Sequence, residues 1–488
     1  GGIIMTSVFE GFKPENLWRH FAQILRIPHC SGDEQALGDY IISLAEKSGL
    51  ESKRDAAGNV LVKKPATPGH EGAPGVILQG HIDMVCEKNS DVTHDFSTDS
   101  IQAEKKGEWI QARGTTLGSD NGIGVAAALA VLEDDSLVHG PLECLFTVDE
   151  ETGLTGATKI SPDFLQGRIL LNLDSEEEGV FTIGCAGGAD SEIILPLERE
   201  GQLEGAVFRL KLSGFRGGHS GLDINQGRGN AIKLLARMLF QASRTHSFQL
   251  VGIHGGNKRN AIPREAWADL AVPDAKSEET AGAFQELFNS IRQEYRTVES
   301  EARMSWEPVT GEDRRPLTPS SQQALVNLLF AMPHGVLSMH PEMKDLVETS
   351  TNLAIVQTQE DAAQAVCSSR SSVASSLEAI RDTITAFCEI AGARVNQPEG
   401  YPGWTPNLKS PLLRTCINVY KRRFQKTPEV GAVHAGLECG IIGEKFPGMD
   451  MISFGPTIEH PHSPEERVHF GSVETFWEFL KDVLEELA

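Results

Sequence analysis

Apolar, strand-like runs in this chain repeatedly stop at side chains able to hold a metal ion, and that ending constrains the fold more than any other feature. Residues 76–78 form an apolar run with β-branched members, suited to a buried strand, that stops at Gly80 and is followed by His81 and Asp83. A histidine and an aspartate one residue apart leave a strand end on the same side. The imidazole can then bind an ion while the carboxylate orients it. Residues 142–148 end in Asp149, Glu150 and Glu151, residues 169–173 end in Asp174, and residues 451–454 are followed by His460 and His462. A fifth contributor is the turn 117–122, which carries Asp120 and opens the helical run 123–132. In an open α/β sheet, sites assemble at the carboxyl ends of the strands. Acidic residues also punctuate strands without any function, but five such endings, two histidines among them, point to one shared site.

With 488 residues the chain has room for two or more domains. Residues 15–25 have helical periodicity. Ser31 and Glu34 have capping-box spacing ahead of a helix that stops at Gly49, and residues 59–62 read as a strand. Strands and helices alternate over 76–186, which predicts a mostly parallel, helix-covered sheet. Residues 185–188 look like a hinge. Beyond it the texture is α+β, with alternation at 208–212 and helical periodicity at 230–242, 281–297 and 375–391. The turn-rich stretch 401–406 leads back to helix–strand alternation. The expected organisation is therefore a discontinuous α/β catalytic domain, 5–186 and 401–488, interrupted by an inserted α+β domain at 187–400 that sits over or beside the site. The insertion is about twice the ~100 residues of one common domain, which leaves open a doubled lid acting within one chain or a lid that dimerises.

Charge narrows the function classes. With 68 acidic against 44 basic residues, a net charge of −24 argues against nucleic acid or an anionic membrane as partner, and clustered carboxylates suit a metal enzyme. No run approaches the ~18 apolar residues of a membrane span, and no leader peptide is apparent. Eight cysteines show no C-x-x-C pair, so reduced, buried thiols in a cytoplasmic protein are expected. Residues 1–4 read as an added remnant ahead of a native start at Met5.

His81, Asp120, Glu151, Asp174 and His462 are one ligand too many for a single tetrahedral zinc that keeps a water. They suit two metals bridged by a carboxylate, which together polarise a carbonyl and generate hydroxide. Glu150, beside a ligand, is the candidate general base and acid. The plainer alternative for it is a solvated neighbour.

His81-x-Asp83, Gly118-Ser119-Asp120-Asn121-Gly122, Asp149-Glu150-Glu151, Asp174 and His462 together resemble the co-catalytic zinc peptidases of the aminoacylase, carboxypeptidase and dipeptidase family. The likeness extends to Gly217-Gly218-His219-Ser220-Gly221, to Asn257 through Pro263 and to His434 through Gly440, and it covers 5–488. It implies that Asp120 bridges two Zn2+ ions, with Co2+ or Mn2+ also acceptable, and that the Asp120–Asn121 bond is cis. His81 and Asp174 would complete one metal, Glu151 and His462 the other. Asp83 would orient His81, and Glu150 would move the proton for a metal-bridging hydroxide. The resemblance further implies an oxyanion role for His219, contributed within the chain or across a homodimer, and substrate contacts from Asn260, Arg370 and the Gly436 main chain. None of the seven site positions departs from the pattern. His254, His434 and His460 read as structural or solvated. The implied activity is hydrolysis of small peptides of the Xaa-His type, β-alanyl-histidine (carnosine) included. The alternatives are a related N-acyl-amino-acid hydrolase or tripeptidase and, in another class, an inactive metal-binding scaffold.

Overall fold

A computed structural model of the chain describes residues 8–311 and 315–488, so Met5 lies outside the described residues. The chain divides into two compact units. One comprises the residues up to Gly184 with Trp404–Ala432 and Leu437–Ala488, and the other Cys185–Gly403 with Val433–Gly436. These divisions fall close to the hinge and the turn-rich crossing, but the short return of 433–436 to the second unit has no counterpart in the sequence reading.

The first unit is built on an eight-stranded sheet. Its strands, in spatial order, are Glu51–Arg54, Val60–Lys64, Leu142–Thr147, Val76–His81, Ile169–Asn172, Asp450–Ser453, Val180–Cys185 and Glu429–Val433. The centre is parallel. Leu142–Thr147, Val76–His81, Ile169–Asn172 and Asp450–Ser453 run the same way, whereas Glu51–Arg54, Val60–Lys64 and Val180–Cys185 pair antiparallel to their neighbours. The expectation of a mostly parallel sheet is thus corrected to a mixed one. The physical reason is connection length: residues 55–59 between the first two strands are too few for the helical crossover a parallel pair needs. Val76–His81 is buried at every position, which explains its continuous apolar run. The helix Ser119–Glu133 packs between that strand and the helix Glu15–Ile24, and it is accordingly apolar on all sides from Ile123 to Leu132.

Two local expectations fail. Ser31 and Glu34 form no capping box for the helix Gln35–Lys47. The Ser31 hydroxyl donates to Asp83, and the Glu34 carboxylate accepts from the N–H groups of Gly32 and Asp149, so site-building has taken both side chains away from the helix end. The cysteines are not all free either. Cys30 and Cys86 form a disulfide, while the other six are buried thiols. Residue 30 is brought beside 86 by a main-chain bridge between Cys30 and Met84 and by the Met84 N–H donating to the His29 carbonyl. A pairing over 56 residues of sequence, made by tertiary contacts, leaves no spacing signal.

The second unit is an antiparallel sheet of nine strands. Ala206–Ser213, Gln249–Gly255, Ala266–Val272 and Arg303–Pro308 form one half; Gly187–Pro196, Gly335–Met339, Val347–Thr358, Ala362–Ser371 and Arg394–Asn396 form the other. The halves join where His254 and Gly255 pair with Gln357 and Val356. The helices Ala231–Ala242, Ser277–Glu294, Pro319–Ala331 and Ala374–Ala391 contribute Leu235, Phe284, Leu325 and Ile384 to one continuous core with the sheet. No described helix is long and apolar enough to cross a membrane.

Candidate active site

The five ligand candidates come together in the first unit. His81 is the last residue of its strand and 1% exposed; its Nε2 lies 3.1 Å from Asp120 Oδ1 and 3.4 Å from Asp174 Oδ1. His462 Nε2 lies 3.1 Å from Asp120 Oδ2 and 3.0 Å from Glu151 Oε2. Each oxygen of Asp120 therefore faces a different imidazole, and two donor triads share that one carboxylate. Ligands ~2.0–2.1 Å from a tetrahedral zinc stand on the order of 3.3 Å apart, so these separations fit two ions bridged by Asp120. Glu151 Oε1 is buried without a hydrogen-bond partner, which also suits a cation.

The turn holding Asp120 is set by close packing. The helical φ/ψ pattern is broken at Asp120 and Asn121, and the bond between them is cis, as the resemblance implies. Asn121 Nδ2 donates to the Leu173 carbonyl at 2.6 Å, tying this turn to the strand end that carries Asp174. A β-carbon at Gly80 would meet Asn121 Oδ1 at 2.3 Å, so only glycine leaves room there for the Asn121 side chain.

Asp83 does more than orient His81. Its carboxylate accepts from the Ser31 hydroxyl at 2.7 Å and from the N–H groups of Glu150 and Glu151 at 3.0 and 3.1 Å. His81 Nδ1 lies 3.0 Å from the Asp83 carbonyl and 3.3 Å from Asp83 Oδ1, which turns Nε2 toward Asp120 and Asp174. One carboxylate thus positions both the histidine and the Glu150–Glu151 turn.

The electrostatics are those of crowded, buried carboxylates. Burial pushes Asp174 up to about 7, with Asp120 and Glu151 adding to it against His81. Burial also drives Glu150 well above the usual carboxylate range, reinforced by Asp174, Glu438 and Glu151 and opposed by His81. Asp83 goes the other way: burial would raise it, but His81, Ser31 and the Glu150 N–H outweigh that and hold it at about 2. Hydrogen bonds to Asp120 and Glu151 carry the His462 imidazole up to about 11. A divalent cation would relieve this crowding of negative charge while displacing protons from the imidazoles.

Several residues of the site escaped the sequence reading. Gln79 Nε2 donates to Glu438 at 2.6 Å and to Thr147 at 3.1 Å, Asn172 Nδ2 donates to Gln79 at 2.5 Å, and Ser453 donates to Asn172 at 2.5 Å. These bonds form a buried polar belt across the four central strands. Its sequence signal is slight: Gln79, Thr147, Asn172 and Ser453 are polar residues near the ends of largely apolar runs. Glu438, 2% exposed, is pushed up to about 7 by burial. Glu176 is raised to about 8 by burial and then by Asp120 and Asp174.

His219, Asn260, Arg370 and Gly436 belong to the second unit. His219 pairs with Ala261, next to Asn260, and its Nδ1 accepts from the N–H groups of Gly221 and Leu222, both at 3.1 Å. Burial, and then Arg370, lower its pKa. A β-carbon on Gly221 would meet the His434 carbonyl at 2.1 Å, the His219 ring at 3.1 Å and Arg370 at 3.2 Å, so these three side chains and loops converge. Arg370 Nη1 donates to the Tyr401 hydroxyl at 2.8 Å, and a β-carbon on Gly436 would strike the Tyr401 ring at 2.7 Å. Tyr401, which the sequence marks only as the start of a turn-rich stretch, is therefore the centre of this cluster. His434 is buried against the Ser350 hydroxyl at 2.7 Å, which agrees with a structural histidine. Asn260 is exposed, and its carbonyl accepts from the Ser220 N–H.

With this geometry in view, comparison with known proteins decides the lineage. A profile of peptidase family M20/M25/M40 matches residues 77–486. The chain belongs to that family. It is 42% identical over 482 residues, 99% of each chain, to the Escherichia coli protein called cytosol non-specific dipeptidase. The crystal structure of aminoacylhistidine dipeptidase from Vibrio alginolyticus superposes with a TM-score of 0.91 at 42% identity, covering 98% of this chain and 97% of that one. Aminopeptidase PepT from Bacillus cereus, at 15% identity and a TM-score of 0.58 over 98% and 99% of the chains, shares the fold. The M20/M25/M40 assignment makes the chain a peptidase by family and leaves the metals and substrate to be argued from the site.

Proposed function

We propose that the protein is a two-metal dipeptidase cleaving Xaa-His dipeptides, carnosine among them. The pair of donor triads sharing Asp120 carries this reading, in a chain similar over 99% of its length to a dipeptidase. Two divalent ions, Zn2+ first and Co2+ or Mn2+ as acceptable substitutes, would polarise the scissile carbonyl and acidify a water. His81 and Asp174 would hold one ion and Glu151 and His462 the other, with Asp120 within reach of both. Glu150 takes the proton from the attacking water and returns it to the leaving amine. Burial raises its pKa above the usual carboxylate range, which favours a carboxyl that takes up a proton. Asp83 fixes His81 and the Glu150–Glu151 turn.

His219 supports the developing oxyanion. Because its Nδ1 accepts two N–H groups, the neutral ring carries its proton on Nε2 and offers a donor. Arg370, steadied by Tyr401, supplies a fork for the substrate carboxylate, and Asn260 and the Gly436 main chain add polar contacts. The protein is read as cytoplasmic and acting on small peptides, in keeping with the E. coli relative's name, and as a homodimer, which the family resemblance implies.

The test is a substrate panel for the purified protein: carnosine, other Xaa-His dipeptides, a tripeptide and an N-acetyl amino acid. Cleavage of the dipeptides is expected. Turnover of the tripeptide or the N-acetyl amino acid alone would replace the substrate assignment, and bound metal with no turnover of any of them would mean an inactive scaffold.

A further inference from the structure

Glu466 lies four residues beyond His462 and is 2% exposed. Its Oε2 accepts from the N–H groups of Leu117 at 2.8 Å and Gly118 at 3.0 Å. Its Oε1 accepts from the Ser119 N–H at 2.7 Å, the Ser119 hydroxyl at 2.6 Å and the Asp120 N–H at 3.3 Å. Four consecutive main-chain N–H groups and a hydroxyl thus close on a single carboxylate. Burying a carboxylate is expensive unless its oxygens are satisfied, and hydrogen bonds to an ionised acceptor are among the strong ones. The donors here all come from the turn that presents Asp120.

That turn faces His462 through Asp120 Oδ2, so Glu466 ties together the segments bearing two of the three donors in the Asp120–Glu151–His462 triad. The two histidines differ in support. His81 closes a fully buried strand and is held through Nδ1 by Asp83. His462 sits in the loop between the paired strands Ile458–Glu459 and Arg467–His469, at a φ of 62°, with 52% of its side chain exposed. A loop of this kind needs an anchor to hold its imidazole within reach of Asp120. Glu466, at the end of the same loop, supplies one.

We propose that Glu466 is the positioning residue of the His462-side ion, locking the loop of His462 to the turn of Asp120 so that both meet the same metal. The inference rests on the two-metal reading. It assigns Glu466 no contact with substrate.

Metal-free protein is titrated with Zn2+, and both binding events are followed by calorimetry for wild type, Glu466→Gln, Ser119→Ala and the exposed control Glu465→Gln. The loss of a partner that orients a ligand costs about 10–100-fold in metal affinity. Glu466→Gln should weaken one of the two ions by about that factor and leave the other near wild type. Its turnover should recover at high Zn2+ with KM unchanged, a rescue that general misfolding would not allow. Ser119→Ala, which removes one of the donors to Glu466, should shift the same ion by less, and it decides the matter if Glu466→Gln does not fold. Two ions bound as tightly in both variants as in wild type would overturn the inference, as would equal weakening of both ions. A wild type that takes up fewer than two ions would overturn the two-metal reading, and the inference with it.

Discussion

The two units assemble their polar chemistry by different routes. In the first, His81 ends one parallel strand of the sheet and Glu151 and Asp174 follow two others, so direction alone delivers them to one edge. In the second, neighbouring strands run in opposite directions, and strand ends do not gather. The cluster there is collected from a two-residue strand at His219, a strand end at Arg370, and loops at Tyr401 and Gly436. A parallel sheet focuses side chains by topology, whereas an antiparallel one needs loops to bring them together.

On that contrast, substitutions at the side chains that would hold or steady the ions in the first unit change metal binding, and those in the second change kinetics with the metals in place. Of three substitutions that test the contrast, the largest effect is expected at His219. Loss of one oxyanion donor costs about 10²–10³ in kcat, so His219→Ala should lose that much turnover with its metal content unchanged by elemental analysis. Loss of an ion would erase the division. Next comes Asp83→Asn, which removes charge from the group steadying His81 Nδ1. Metal affinity should fall about 10–100-fold, read by competition with a chelating dye, and unchanged affinity would sever Asp83 from the metal site. The smallest is Tyr401→Phe. Losing a hydrogen bond worth ~1 kcal/mol to Arg370 should raise KM about fivefold with kcat little changed. A variant with lowered metal content instead would contradict the assignment of Tyr401 to substrate.

The same contrast explains what could be read in advance. His81, Asp120, Glu151, Asp174 and His462 were legible because each follows an apolar run or opens a buried helix, and a polar side chain at such a place is conspicuous. The central strands were legible for the same reason. The mixed character of the sheet was not, since strand direction depends on connections rather than on the strands themselves. Ser31 and Glu34 misled because their spacing fits a helix cap, while tertiary contacts with Asp83 and Asp149 claim the side chains. The Cys30–Cys86 bond, Tyr401 and Glu466 depend on partners distant in sequence, for which a single chain carries no periodic signal.

The most direct measurement is carnosine turnover by wild type and by Glu150→Ala, with bound zinc counted in both. A positioned general base contributes about 10²–10⁴-fold. The variant should keep the two ions of the wild type and lose turnover by about that factor. Full activity without Glu150, or a wild type that holds two ions and leaves every dipeptide intact, would contradict the account.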